Sequence, residues 1–149
     1  MIKKLTFGIR IILGIVFVYA SIDKILHPAD FADSVFNYQI LPDSLINLTA
    51  LILPYLELIL GISLIIGIAL PGAAFLSNLL LVTFMAALIF NLARGLNIHC
   101  GCFSAKAEAA EGHEMIWTVL RDSVFLLMGM FLFLRLYFEK RRDAKSSST

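Results

Sequence analysis

Charge is scarce in this chain, and what there is nearly cancels. Charged residues make up 15% of the 149, with twelve Lys plus Arg against eleven Asp plus Glu, a formal net charge of +1. So balanced a chain has no basic field for phosphates, which excludes nucleic acid as a partner. Cysteine is scarcer still: Cys100 and Cys102 are the only two, both in "LNIHCGCFSAK". No second cysteine pair exists to relay electrons from the cytoplasm. Polar helix faces are missing too. The runs "LILPYLELILGISLIIGIAL" and "LLLVTFMAALIF" are apolar all round, whereas a soluble core helix keeps a polar face.

What is present is hydrocarbon. The chain is 60% hydrophobic with a mean hydropathy of +0.89, a composition that belongs in lipid. A helix crossing a bilayer core needs roughly 20 apolar residues, and four segments reach that length, about 5–22, 45–69, 72–94 and 115–138. The expected fold is an all-α membrane protein, a four-transmembrane-helix bundle forming a single domain over residues 1–139. The opening "MIKKLTFGIRIILGIVFVYAS" has the outline of a signal peptide, but Arg10 interrupts its apolar run and Tyr19-Ala20-Ser21 is a poor cleavage site, so it is read as the first span. Residues 140–149, charged and then Ser-rich, are expected to form a disordered tail.

Between the first two spans, "HPADFADSVFNYQILP" sets Phe31, Val35 and Tyr38 on one helical stripe and Asp30, Asp33 and Asn37 off it. That pattern predicts a short interfacial helix, stopped by Pro42, with Asp43 or Ser44 as the N-cap of the next span. "ALPGAA" allows only a tight turn. No internal repeat is evident.

Basic residues set the orientation, because cytoplasmic ends are enriched in Lys and Arg. With four spans both termini share a side. That side carries Lys3, Lys4, Arg10, Arg135, Lys140, Arg141, Arg142 and Lys145, against Lys24, Arg94 and Lys106 on the other, eight to three, with Arg121 inside the last span. The termini are expected in the cytoplasm of a bacterial cell, with the chain in its inner membrane. Cys100 and Cys102 then face the periplasm, where disulfides persist.

Ionisable side chains within spans are costly and usually face the bundle interior. Arg10, Gly14, Phe17, Ser21 and Lys24 recur at steps of four and three, so they share one face of the first span. Glu57 lies between Pro54 and Gly61 on one face of the second, the proline freeing a backbone carbonyl nearby. Thr118, Arg121, Asp122 and Phe125 group likewise in the last. At about 1.5 Å per residue, Arg121 lies roughly 10 Å deep and Glu57 somewhat deeper, so geometry allows an Arg121–Glu57 pair. Two readings stand: charges that only hold the helices in register, or a polar wall of an outward cavity serving a quinone head group, a small anion or a proton path. Arg10 and Arg135, near the cytoplasmic interface, are expected to snorkel to the head groups of membrane lipid.

Two thiols one residue apart can close a small strained ring, and strained disulfides are oxidising and labile. Gly101 supplies the backbone freedom that closure requires. Asn91 and Arg94, one turn apart, share the last face of the helix before this loop, and Arg94 with a protonated His99 would favour a thiolate. Two other readings stay open: a structural staple, which would add little through so short a loop, and soft-metal ligation by His99, Cys100 and Cys102, with His113 the only other nearby candidate.

In order, "RIILGIVFVYASIDKILHPADF" into "YQILP", "LPYLELILGISLIIG", "HCGCF" and "VLRDSVFLL" resemble the MauE branch of the DoxX-like membrane proteins over nearly the whole chain. That resemblance implies a four-helix membrane protein, and a link to a thioredoxin-like partner and disulfide formation in the maturation of methylamine dehydrogenase. DoxX relatives are linked to thiosulfate:quinone oxidoreduction. Carried onto this sequence, it implies Cys100 and Cys102 as the redox pair and Lys24, Glu57, Arg121 and Asp122 as family-type polar positions. The usual glycine after the motif is Ser104 here, and no methylamine-specific feature is present. The expected function is a membrane thiol-disulfide oxidoreductase component. Cys100, Cys102 and His99 exchange electrons with a periplasmic thioredoxin-like protein, and Glu57, Arg121, Asp122, Lys24 and Arg94 face a membrane quinone as cofactor. Competing expectations are a soft-metal binding or transport protein and a non-catalytic assembly factor.

Overall fold

A computed structural model describes residues 2–94 and 112–146, whose only regular structure is α-helix, joined by short turns. Five helices follow in order: α1 Ile2–Leu26, α2 Pro28–Asn37, α3 Asp43–Ile66, α4 Leu70–Ala93 and α5 Gly112–Ser146. Among the described residues three helices are long and apolar enough to cross a membrane, namely Lys4–Leu26 within α1, Asp43–Ile66 and Leu70–Ala93.

Local chemistry explains the boundaries. Pro28 opens α2, where a missing N–H costs nothing and the fixed φ suits a first turn. Past the end of α2, Gln39 takes a left-handed φ of 50° and the chain reverses. Pro42, extended at φ −66° and ψ 148°, is itself the N-cap of α3, with no side-chain capping bond; Asp43 lies in the first turn instead, its carboxylate favourable to the helix dipole. The expected Asp43 or Ser44 cap is corrected accordingly. Gly67, at φ 97°, ends α3, its N–H donating to the Ser63 carbonyl at 2.9 Å.

The stripe expected on α2 is present: Phe31 and Tyr38 are buried, Val35 half-buried, and Asp33 and Asn37 exposed. It lies on α3 through Phe31, Ala50, Val35 and Leu53. α1 meets α3 most intimately. A Cβ on Gly14 would stand 2.9 Å from the Gly61 carbonyl oxygen, and one on Gly61 would stand 2.9 Å from the Gly14 oxygen, so the two backbones touch. Small residues that admit such approach are the usual means of association where lipid supplies no hydrophobic drive. At the α4–α5 contact, Gly129 leaves room for the Asn78 side chain, whose Oδ1 would lie 2.7 Å from an added Cβ. The core between them is Leu13, Phe17, Leu60, Leu64, Ala74 and Leu132. Outside, large apolar side chains stand exposed, Leu127 to 70%, Ile59 to 60% and Ile66 to 62%, a surface suited to hydrocarbon.

Two further expectations change. α5 does not stop near 139 but continues to Ser146, so the tail expected to be disordered is helical that far. Glu139, Lys140, Arg141, Arg142, Ala144 and Lys145 are all good helix formers, and a helix end in water needs no burial to persist as an extension of a buried one. Arg10 does not reach outward. It is half-buried, donates from Nη2 to the Ile65 carbonyl at 3.3 Å near the C-terminus of α3, and lies 5.0 Å from the Phe7 ring.

Candidate functional site

The inward face of α1 ends on Lys24, at 1% exposure. Ser21, one turn earlier and fully buried, donates its hydroxyl to its own helix at the Val18 carbonyl, 2.7 Å. Lys24 crosses instead to α3. Its Nζ lies 2.6 Å from Glu57 Oε2 and 2.8 Å from Oε1, and Glu57 is itself 4% exposed. The ammonium sits 5.0 Å from the Phe31 ring and 5.1 Å from the Phe84 ring, so two quadrupoles add to the carboxylate in holding the charge. The Arg121–Glu57 pair that depth alone allows is not the one formed: Glu57 belongs to Lys24. Depth along a helix says nothing about which helix is the neighbour, and the close α1–α3 crossing at Gly14 and Gly61 decides it.

Arg121 turns to its own neighbour. Its Nε donates to Asp122 Oδ1 at 3.1 Å, and Nη2 stands 3.0 Å from the same oxygen. Asp122 is 7% exposed and meets Lys24 and Glu57 at a small cavity of about 40 Å³ that Phe84 and Phe125 also line. That is room for one water molecule among three charged groups. The four charges compensate, two cations against two anions. Four of the residues singled out in the sequence, Lys24, Glu57, Arg121 and Asp122, thus form one cluster from α1, α3 and α5.

Tyr38, from the end of α2, was not among the site candidates. It is buried, and burial raises its hydroxyl pKa above the ordinary value, with the negative charge of Asp122 adding to the rise. Its phenol stays protonated and can donate. The signal available in the sequence was its place on the apolar stripe, which predicts burial and not a charged neighbour. Phe31 and Phe84 were missed as site residues for the same reason.

Arg94 stands apart from this cluster. Asn91 is fully buried and bonds its own helix at Ala87, whereas Arg94, three residues on at the C-cap of α4, is exposed and donates from Nη2 to Gln39 Oε1 at 3.3 Å. That bond ties the end of α4 to the turn after Tyr38. His99, Cys100 and Cys102, with residues 95–111 as a whole, lie outside the described residues.

The geometry is that of a charge-balanced cluster near one end of the bundle, three of its four charges buried and Arg121 half-exposed, and comparison with known proteins gives it a context. A family model described as "Methylamine utilisation protein MauE" matches residues 2–135. The chain belongs to the MauE family. The methylamine utilization protein MauE of Paracoccus denitrificans is 40% identical over 98 residues, 64% of this chain and 52% of that protein. MauE of Methylorubrum extorquens is 37% identical over 96 residues, again 64% of this chain and 52% of its own length. This chain spans about half the length of the curated MauE relatives it matches. No solved structure matches it.

Proposed function

We propose that this MauE-family chain is the membrane component of a thiol-disulfide relay, in which Cys100 and Cys102 take electrons from a periplasmic thioredoxin-like protein and pass them to a membrane quinone. The balance is simple. Two partner thiols become a disulfide as the Cys100–Cys102 disulfide is reduced, and the resulting dithiol closes again while quinone takes two electrons and two protons to become quinol. The relatives are named for methylamine utilisation, and an accessory role in that process is the setting proposed here. We also group the chain with the wider DoxX-like proteins, on the order of its sequence features.

The observation carrying this reading is where the cysteine segment is rooted. Residues 95–111 leave α4 after Arg94 and return at Gly112, and Arg94 is bonded beside Tyr38, whose hydroxyl feels Asp122 of the charge cluster. The segment that carries the chain's only thiols therefore begins at the end of the bundle that holds the buried charges. In the proposed topology α5 is a fourth crossing of the inner membrane, both termini are cytoplasmic, α2 lies at the interface, and the cysteines face the periplasm. His99 favours the thiolate of Cys100.

Exchange through a mixed disulfide gives the test. Cys102→Ser removes the resolving thiol and should trap a thioredoxin-like partner on non-reducing gels, while both Cys100→Ser and Cys102→Ser lose activity and remain folded. Full activity in both variants, with no trapped partner, overturns the redox reading in favour of a docking or soft-metal role.

A further inference from the structure

The charge cluster has a larger apolar neighbour. Between α2, the turn after it, α3 and α4 lies a cavity of about 310 Å³, at the small end of the range for organic-ligand pockets. Phe31, Tyr38, Leu53, Leu80 and Phe84 wall it. Ile40, Leu41 and Thr83, also in its lining, are exposed on the outside of the bundle, so a molecule inside has a path to surrounding hydrocarbon. On the inner side, Phe31 and Phe84 are the same rings that flank Lys24 Nζ, so aromatic side chains stand between the cavity and the Lys24–Glu57 pair. Along α4 the cavity ends at Ala87, and Arg94, where the cysteine segment begins, is two turns, about 10 Å, further on.

We propose that this cavity seats the ring of a membrane quinone, its isoprenoid tail leaving between the α2–α3 turn and α4. The inference rests on the thiol-quinone reading above and gives that reading a binding site. An apolar lining with a sideways mouth selects a ligand dissolved in lipid, and aromatic walls favour a flat ring over a saturated chain. The chain has no second cysteine pair to receive electrons, so a two-electron acceptor must come to the thiols, and the cavity lies beside their root. Quinone bound there takes the two electrons and two protons that a dithiol releases on closing. Tyr38, on the cavity wall, adds a further aromatic ring to it.

The test is photolabelling of the full chain in lipid nanodiscs with an azido-quinone, read by peptide mapping, alongside a phospholipid bearing a photoreactive acyl chain. The label is expected on residues 31–41 and 80–87, displaced by unlabelled quinone, and about tenfold weaker in Ala87→Phe, which fills the cavity. Leu127→Phe, on the outer face of α5, should label like the native chain. Thr83→Tyr, at the exposed mouth, serves as a second block should Ala87→Phe lower the melting temperature. Quinone label elsewhere, label not displaced by quinone, or acyl-chain label that competes equally for the same residues overturns the proposal. The Cys100→Ser/Cys102→Ser double variant should keep the label. If the cavity labels as expected but the native dithiol never reduces quinone, the thiol-quinone reading fails and the quinone site stands.

Discussion

A lysine at 1% exposure inside an apolar bundle needs its counter-charge, and Glu57 supplies it with both carboxylate oxygens. Replacing either alone, as Lys24→Met or Glu57→Leu, strands the other and is expected to cost about 3–5 kcal/mol, whereas the double replacement recovers most of it. Thermal melting of the three variants in detergent checks this; harmless single changes would mean the pair is not held in the folded protein. Arg121→Gln should leave Glu57 undisturbed, since Arg121 pairs with Asp122. Tyr38 yields a second residue-scale prediction. Its raised pKa means the folded state keeps a proton that the unfolded state gives up, so stability falls as pH rises through about 10, the ordinary tyrosine value. Tyr38→Phe should therefore leave phenolate absorbance near pH 10 unchanged, and a drop on substitution would contradict the burial argument. Which residues face inward was legible in the sequence for Lys24, Glu57 and Asp122, because periodicity reports faces. Partners were not, because pairing depends on which helices cross and where.

At the scale of the element, backbone contact sets those crossings. Gly14→Leu or Gly61→Leu pushes side-chain atoms into a neighbouring backbone and is expected to destabilise by about 1–3 kcal/mol or more, with loss of the Lys24–Glu57 pair as the helices part. Gly67→Ala is the milder test. At φ 97° and 2.9 Å from Arg10 Nη1, an added Cβ is both strained and crowded, at a cost of about 1–3 kcal/mol in melting. The helices themselves were largely readable: apolar length marked the positions of α1, α3, α4 and most of α5, and the Phe31, Val35 and Tyr38 stripe before Pro42 marked α2. The miss was at the far end of α5, where hydropathy stops at about residue 138 while helix propensity carries on to Ser146. The cap of α3 was misplaced for a related reason, since Pro42 can end one segment and begin the next without a side-chain bond.

Across the whole molecule, the sequence carried the membrane character and the family, while His99, Cys100 and Cys102 lie outside the described residues, and their proposed role rests on chemistry and resemblance. The eight-to-three distribution of basic residues predicts that a membrane-impermeant thiol reagent labels both cysteines in intact, reduced cells. Labelling only after the cells are permeabilised would reverse the proposed topology. In the proposed relay Cys100 and Cys102 hand electrons onward to quinone, and the redox state of the pair, followed in native membranes while quinol reoxidation is blocked, reads that step. Reduced thiols are expected to accumulate at Cys100 and Cys102 under the block and to return to the disulfide when it is lifted. A pair whose redox state ignores the quinone pool would contradict it.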